Sequence, residues 1–123
     1  MRNILAMAVV VLISMAAVPA QARYETGNTL YSDCTNSGTK IDRLVAGAHC
    51  SSYIVGVYDE HEFQSLISKT SPEFCAPKGV VIQQLVDIVT KFLVDNPESR
   101  QYPAAALVKL SLTKAFPCKD VIK

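Results

Sequence analysis

The chain has 123 residues, of which half are hydrophobic, and its formal net charge at pH 7 is +1. This length supports one domain. The near-zero charge argues against nucleic acid as a partner, because phosphate binding requires an excess or a patch of basic residues and no polybasic run is present.

Residues 1–22 have the pattern of a secretory signal peptide. Arg2 precedes an apolar run over residues 4–13, and residues 20–22 form a small-x-small cleavage site. The alternative, an uncleaved membrane anchor, is disfavoured because the apolar run is short for a membrane span. We therefore expect a mature periplasmic domain over residues 23–123, which carries eleven basic and eleven acidic residues and has no further membrane segment.

Two helices are predicted in the first half of this domain. The first is short, opens at Thr26 and ends at a turn over residues 35–38. The second begins near Asp42, which can cap it, and extends to about Ser68. Its apolar residues at near-helical spacing are Leu44, Val45, Ala48, Tyr53, Ile54, Val57, Tyr58 and Ile67.

Two further helices form an antiparallel hairpin in the second half. The apolar stripe of the third helix consists of Val81, Leu85, Ile88, Val89, Phe92 and Leu93. Pro97 ends this helix, because proline disfavours helical backbone at the preceding residue and has no N–H. Pro103 suits the first position of the fourth helix. The stripe of that helix consists of Ala104, Leu107, Val108, Leu112, Ala115 and Phe116. The chain is therefore predicted to be all-α.

The four cysteines, Cys34, Cys50, Cys75 and Cys118, predict two disulfides, because their number is even and the domain is exported. Their spacing lacks the close C-x-x-C pairs of a zinc site. An up-down-up-down order places the end of the first helix and the start of the second at the end of the bundle that holds Pro97. The pairs Cys34–Cys50 and Cys75–Cys118 then each join cysteines at one end. We expect a small four-helix bundle stapled by these two bridges.

No active site is predicted. His49 precedes Cys50, but a Cys–His hydrolase is disfavoured because the cysteines are expected to be oxidised. His61 lies in the acidic segment 59–62, which lacks the H-E-x-x-H spacing of a metalloprotease. A solvated helix face is the favoured interpretation of this segment. We expect neither enzymatic activity nor a metal or cofactor site.

The polar turn over residues 95–102 is the candidate binding element. Arginine and tyrosine are over-represented among interface hot spots, and a rigid turn loses little entropy on binding. The alternative is that Pro97 merely ends a helix and Tyr102 packs beneath it. The candidate partner-binding residues are Asn96, Pro97, Glu98, Arg100 and Tyr102.

Seven short motifs, taken in order, resemble the Rap/Tai family of periplasmic immunity proteins against type VI secretion amidase effectors. The motifs are Gly27-Asn28-x-Leu30-Tyr31-x-x-Cys34, Cys50-x-x-Tyr53-Ile54-x-Gly56-Val57-x-Asp59, Phe74-Cys75-x-Pro77-x-Gly79-Val80, Gln84-Leu85-Val86-Asp87-Ile88-Val89, Asn96-Pro97-x-x-Arg100, Ala104-Ala105-x-Leu107-Val108 and Ala115-Phe116-Pro117-Cys118.

This resemblance implies an all-helical, disulfide-containing inhibitor, often a homodimer, that covers the Cys–His catalytic groove of a peptidoglycan amidase. The partner surface in such proteins includes a protruding loop, and the turn around Pro97 is the match here. The competing hypothesis is a periplasmic helical chaperone or stress protein that binds unfolded clients. The chain has two histidines, so few side chains change charge in mild acid, and this counts against an acid-switched chaperone.

Overall fold

The computed structural model describes residues 24–119, and over this range it confirms the all-α fold. The signal peptide predicted over residues 1–22 lies outside the described part. Within that part there are no β-strands, and no helix has the length and hydropathy to cross a membrane. The helices are α1 (Gly27–Cys34), α2 (Lys40–Ile67), α3 (Ile82–Asp95), a 3-10 helix (Pro97–Ser99) and α4 (Ala104–Ala115).

Reciprocal capping boxes begin the first two helices. Thr26 caps α1 as predicted, and its side chain accepts a hydrogen bond from the backbone N–H of Thr29. The cap of α2 is Thr39, so the assignment of this position to Asp42 was wrong. Asp42 instead lies in the first turn, where its carboxylate accepts a hydrogen bond of 3.0 Å from the backbone N–H of Thr39. Both residues therefore cooperate in starting the helix.

The ends of α3 and α4 differ from the predicted pattern by one or two residues. Val81 precedes α3 in extended backbone and is exposed, so it does not belong to the buried stripe. Pro103 caps α4 instead of occupying its first helical position. At the other end, Ala115 is exposed and Phe116 is half-buried beyond the last helical residue. The apolar pattern thus extends slightly past the helices themselves.

All four helices and the connector between α2 and α3 contribute to one core. Its buried members are Leu30, Cys50, Ile54, Phe74, Leu85, Val89, Leu93, Ala104, Leu107, Val108 and Leu112. The connector contributes Phe74, whose ring stacks on His61 with centroids 3.6 Å apart. His61 is buried and its Nε2 lies 3.0 Å from the carbonyl oxygen of Phe74. The prediction of a solvated face over residues 59–62 is therefore wrong for His61.

The structure contains the two predicted disulfides. Cys34–Cys50 joins α1 to α2, and Cys75–Cys118 joins the connector to the segment after α4. Closing loops of 16 and 43 residues contributes on the order of 3 to 4 kcal/mol each in the chain-entropy model. These bridges account for a large share of the stability expected of so small a domain.

The orientation of α1 differs from the simple up-down-up-down order. That order predicted the end of α1 beside the turn around Pro97, but the first residues of α1 contact this turn instead. The physical reason is that the backbone N–H groups of Gly27 and Asn28 at the start of α1 donate to carbonyl oxygens of this turn. With eight residues, α1 extends only about 12 Å, so it does not run the length of the 28-residue α2.

Lys109 of α4 forms an ion-pair network with α2 and the connector. Its Nζ lies 3.0 Å from a carboxylate oxygen of Glu60 and 3.5 Å from one of Glu73. Hydrogen bonding to Glu60 is the main cause that raises the pKa of Lys109. Burial likewise raises the pKa of Tyr53 on α2. Both groups therefore hold their protons more tightly in the folded protein.

Candidate functional site: the turn between α3 and α4

The turn between α3 and α4 is built from consecutive short-range hydrogen bonds. Asn96 ends α3, with both its backbone N–H and its side-chain amide donating to the carbonyl oxygen of Phe92. The 3-10 helix follows, and Ser99 N–H donates to Asn96 O over 3.1 Å. Beyond this helix, Tyr102 N–H donates to Ser99 O, also over 3.1 Å. Pro97 at the start of this helix restricts the backbone further. The turn thus has a defined shape before any partner binds.

Arg100 connects the turn to the end of α3. Its Nε donates to the carbonyl oxygen of Leu93 over 2.6 Å, and its Nη2 donates to that of Val94 over 3.2 Å. The last carbonyls of a helix lack intrahelical partners and carry partial negative charge, so a guanidinium there is doubly favourable. The same guanidinium lies 3.5 Å from the ring centroid of Tyr31 on α1. Arg100 is therefore directed into the protein body.

The start of α1 holds the turn from the other side. Gly27 N–H donates to the carbonyl oxygen of Tyr102 over 2.9 Å, and Asn28 N–H donates to that of Arg100 over 2.7 Å. These donors belong to the first turn of α1, where backbone N–H groups have no helical acceptor. A Cβ at Gly27 would overlap the side chain of Leu107 and lie 2.8 Å from Arg100 O. Only glycine allows this close approach.

The five candidate partner-binding residues separate into two groups. Pro97, Glu98 and Tyr102 are exposed, and 55% of Tyr102 is accessible. Asn96 and Arg100 are half-buried and engaged in the hydrogen bonds described above. The alternative in which Tyr102 packs beneath Pro97 is therefore wrong. The turn presents an aromatic ring, a proline and a carboxylate on a hydrogen-bonded base.

Comparison with known protein families identifies the chain. A family model described as Rap1a immunity proteins matches residues 26–118. This protein belongs to the Rap1a immunity protein family. The matched range of this Rap1a family member extends from the cap of α1 to the last cysteine and includes both disulfides and the turn. No curated protein matches the chain.

Proposed function

We propose that this Rap1a family member is a periplasmic immunity protein that binds a type VI secretion peptidoglycan amidase and blocks its active-site groove. The family match carries this proposal, together with the resemblance of its motifs to immunity proteins against such amidases. Residues 1–22 act as the signal peptide, and both disulfides suit an oxidising compartment. An inhibitor of a cell-wall enzyme must reach the compartment in which that enzyme acts.

The turn between α3 and α4 is the proposed docking element. Pro97, Glu98 and Tyr102 contact the amidase, whereas Asn96 and Arg100 keep the turn in shape. The exposure of the first three and the internal hydrogen bonds of the other two support this division. A tyrosine ring gives a large contact area with few rotatable bonds, and a preformed turn loses little entropy on binding. The inhibition is stoichiometric binding and requires no chemistry from the immunity protein.

A second copy of the chain is proposed to pack against the first two turns of α2. Ile41, Leu44 and Val45 are each more than three-fifths exposed there. Neighbouring exposed apolar side chains of this size favour a protein interface, and a two-fold dimer is the commonest arrangement. Light scattering should give the mass of a dimer for the wild type and that of a monomer for Leu44→Glu.

The proposal predicts that a peptidoglycan amidase is encoded beside this protein, and the test of the immunity function uses that enzyme. The purified protein should inhibit peptidoglycan hydrolysis at a one-to-one ratio of subunits. Tyr102→Ala and Glu98→Lys should each weaken binding at least about tenfold, as expected for interface anchors. The matched controls are Phe63→Ala, whose side chain is similarly exposed at 57%, and Asp59→Lys, also on α2. Both controls should bind like the wild type.

The outcomes separate the function from the docking element. Full inhibition by the wild type and by both turn variants would refute the turn as the contact and leave the immunity function standing. Absence of amidase binding, combined with suppression of aggregation of unfolded proteins, would refute the immunity function and favour the chaperone.

A further inference from the structure

Three side chains with metal-ligand chemistry meet beside the Cys34–Cys50 disulfide. They are Glu25, which precedes α1, Asp33 of α1 and His49 of α2. One ligand atom from each residue lies within 4.8 Å of the other two. These residues are outside the proposed docking turn, and sequence analysis predicted no metal site because no local spacing indicates one. The cluster therefore requires its own explanation.

The fold fixes the backbone of all three residues. Asp33 and His49 each directly precede a cysteine of the bridge, whose Cα atoms are 5.1 Å apart. Their side chains are already adjacent, with His49 Nδ1 lying 2.5 Å from Asp33 Oδ2. The carbonyl oxygen of Glu25 accepts a hydrogen bond of 2.9 Å from Ala104 N–H. This preorganisation lowers the entropy lost when the side chains close around an ion.

Glu25 is half-buried, and one of its two carboxylate oxygens lacks a hydrogen-bond partner in the described part of the chain. Glu25 Oε1 is buried and has no hydrogen-bond partner among residues 24–119. Buried carboxylate oxygens are unfavourable unless they are hydrogen-bonded, paired with a charge or bound to a metal. The nearby Asp33 is acidic too, so the carboxylates do not satisfy one another. A cation between the three side chains would provide the missing partner.

We propose that Glu25, Asp33 and His49 bind a divalent transition-metal ion of the zinc class. An imidazole with two carboxylates suits zinc, which takes four ligands at about 2.0 to 2.2 Å from nitrogen and oxygen. Tetrahedral geometry then requires ligand atoms roughly 3.3 Å apart, which side-chain rotation can reach from the observed separations. His49 is 51% exposed, so an ion can enter and a water can complete the coordination. The ion clamps the segment before α1 to both helices.

The rival explanation is a plain ion pair between His49 and Asp33, with no role for Glu25. Calorimetric titration of the disulfide-intact, tag-free protein with Zn²⁺ distinguishes the two. We expect one ion per chain and a higher melting temperature in excess Zn²⁺. Glu25→Gln and His49→Gln should each weaken binding at least about tenfold, since each removes a ligand. Asp87→Asn, which alters an exposed carboxylate on α3, should bind like the wild type.

Imidazole resonances provide a second measurement that does not depend on variant stability. In the wild type, Zn²⁺ should shift the signals of His49 and leave those of the buried His61 unchanged. Absence of both heat and a melting shift would overturn the site in favour of the ion pair. The zinc-class site would also be overturned if Ca²⁺ bound as tightly as Zn²⁺ and if folded His49→Gln kept this binding. That result would show that the acidic side chains attract any divalent cation. Neither measurement involves the amidase, so failure here leaves the immunity function untouched.

Discussion

Replacing Arg100 with methionine tests whether this residue holds the turn or contacts the partner. The substitution keeps an unbranched apolar stem and removes the guanidinium. It therefore deletes the two hydrogen bonds to Leu93 and Val94 and the stacking on Tyr31. If the Arg100 side chain mainly contacts its own protein, the substitution must lower the free energy of unfolding of the isolated protein.

The magnitude follows from those three contacts. A hydrogen bond to a charged group contributes about 1.5 to 3 kcal/mol. We take about 1.5 kcal/mol for the two bonds together, because Arg100 is half-buried and water can replace the donors. Cation–π stacking on Tyr31 adds roughly 0.5 to 1 kcal/mol. Arg100→Met should therefore lower the free energy of unfolding by about 2 to 2.5 kcal/mol.

Urea unfolding is the assay, with an unchanged m-value as evidence that only stability differs. Lys91→Met is the matched control: its Nζ lies 2.6 Å from Asp95, but its side chain is 77% exposed. Such a surface pair is expected to contribute less than about 0.5 kcal/mol. Arg100→Lys should recover only part of the loss, because an ammonium lacks the planar fork that serves two carbonyls and the ring together.

A different result would refute this reasoning. If Arg100→Met unfolds within about 0.5 kcal/mol of the wild type and yet loses amidase binding, the guanidinium is a partner contact and the internal hydrogen bonds contribute little. If Arg100→Met still folds but is less stable than the wild type, and if its amidase binding weakens only as far as the turn loses order, the internal role is supported.

Two further predictions concern stability. Gly27→Ala should lower the free energy of unfolding by about 2 kcal/mol or more, because the added Cβ meets backbone and core atoms. Gly56→Ala, whose added Cβ has nothing within 4 Å, should raise the free energy of unfolding by up to about 1 kcal/mol. Urea unfolding measures both variants. The pKa values of Lys109 and Tyr53 are raised in the folded protein above their ordinary values of 10.5 and 10.0. The folded state therefore keeps these two protons at a pH at which the unfolded state has begun to release them. The free energy of unfolding should therefore fall as pH rises above about 10, and less steeply in Tyr53→Phe; constant stability up to about pH 11 would contradict this.

Much of the fold is readable from local sequence patterns. The buried faces of α3 and α4 follow the predicted stripes, as Leu85, Val89, Leu107 and Leu112 show. Hydrophobic periodicity is a local property, and burial of the stripe follows from it directly. The cysteine pairing was also predicted correctly, although the up-down-up-down order used to derive it was wrong for α1.

Local sequence patterns are least informative where distant segments decide how a residue is placed. His61 lies among acidic residues, and its burial depends on Phe74, which the connector folds back over α2. Arg100 lies in a polar turn, and its orientation depends on Tyr31 of α1. Composition selects such a turn as a candidate site, but it does not state which side chains face the protein and which face a partner.

The cluster of Glu25, Asp33 and His49 shows where stronger inference from sequence was available. Pairwise spacing gives no metal motif, because the three ligand types are separated by 8 and 16 positions. A predicted disulfide, however, is also a distance constraint on the residues beside it. Pairing Cys34 with Cys50 brings the backbones of the preceding aspartate and histidine near each other, and in the structure their side-chain atoms lie 2.5 Å apart. Titratable residues next to predicted disulfides are therefore worth testing as sites even when no linear motif exists.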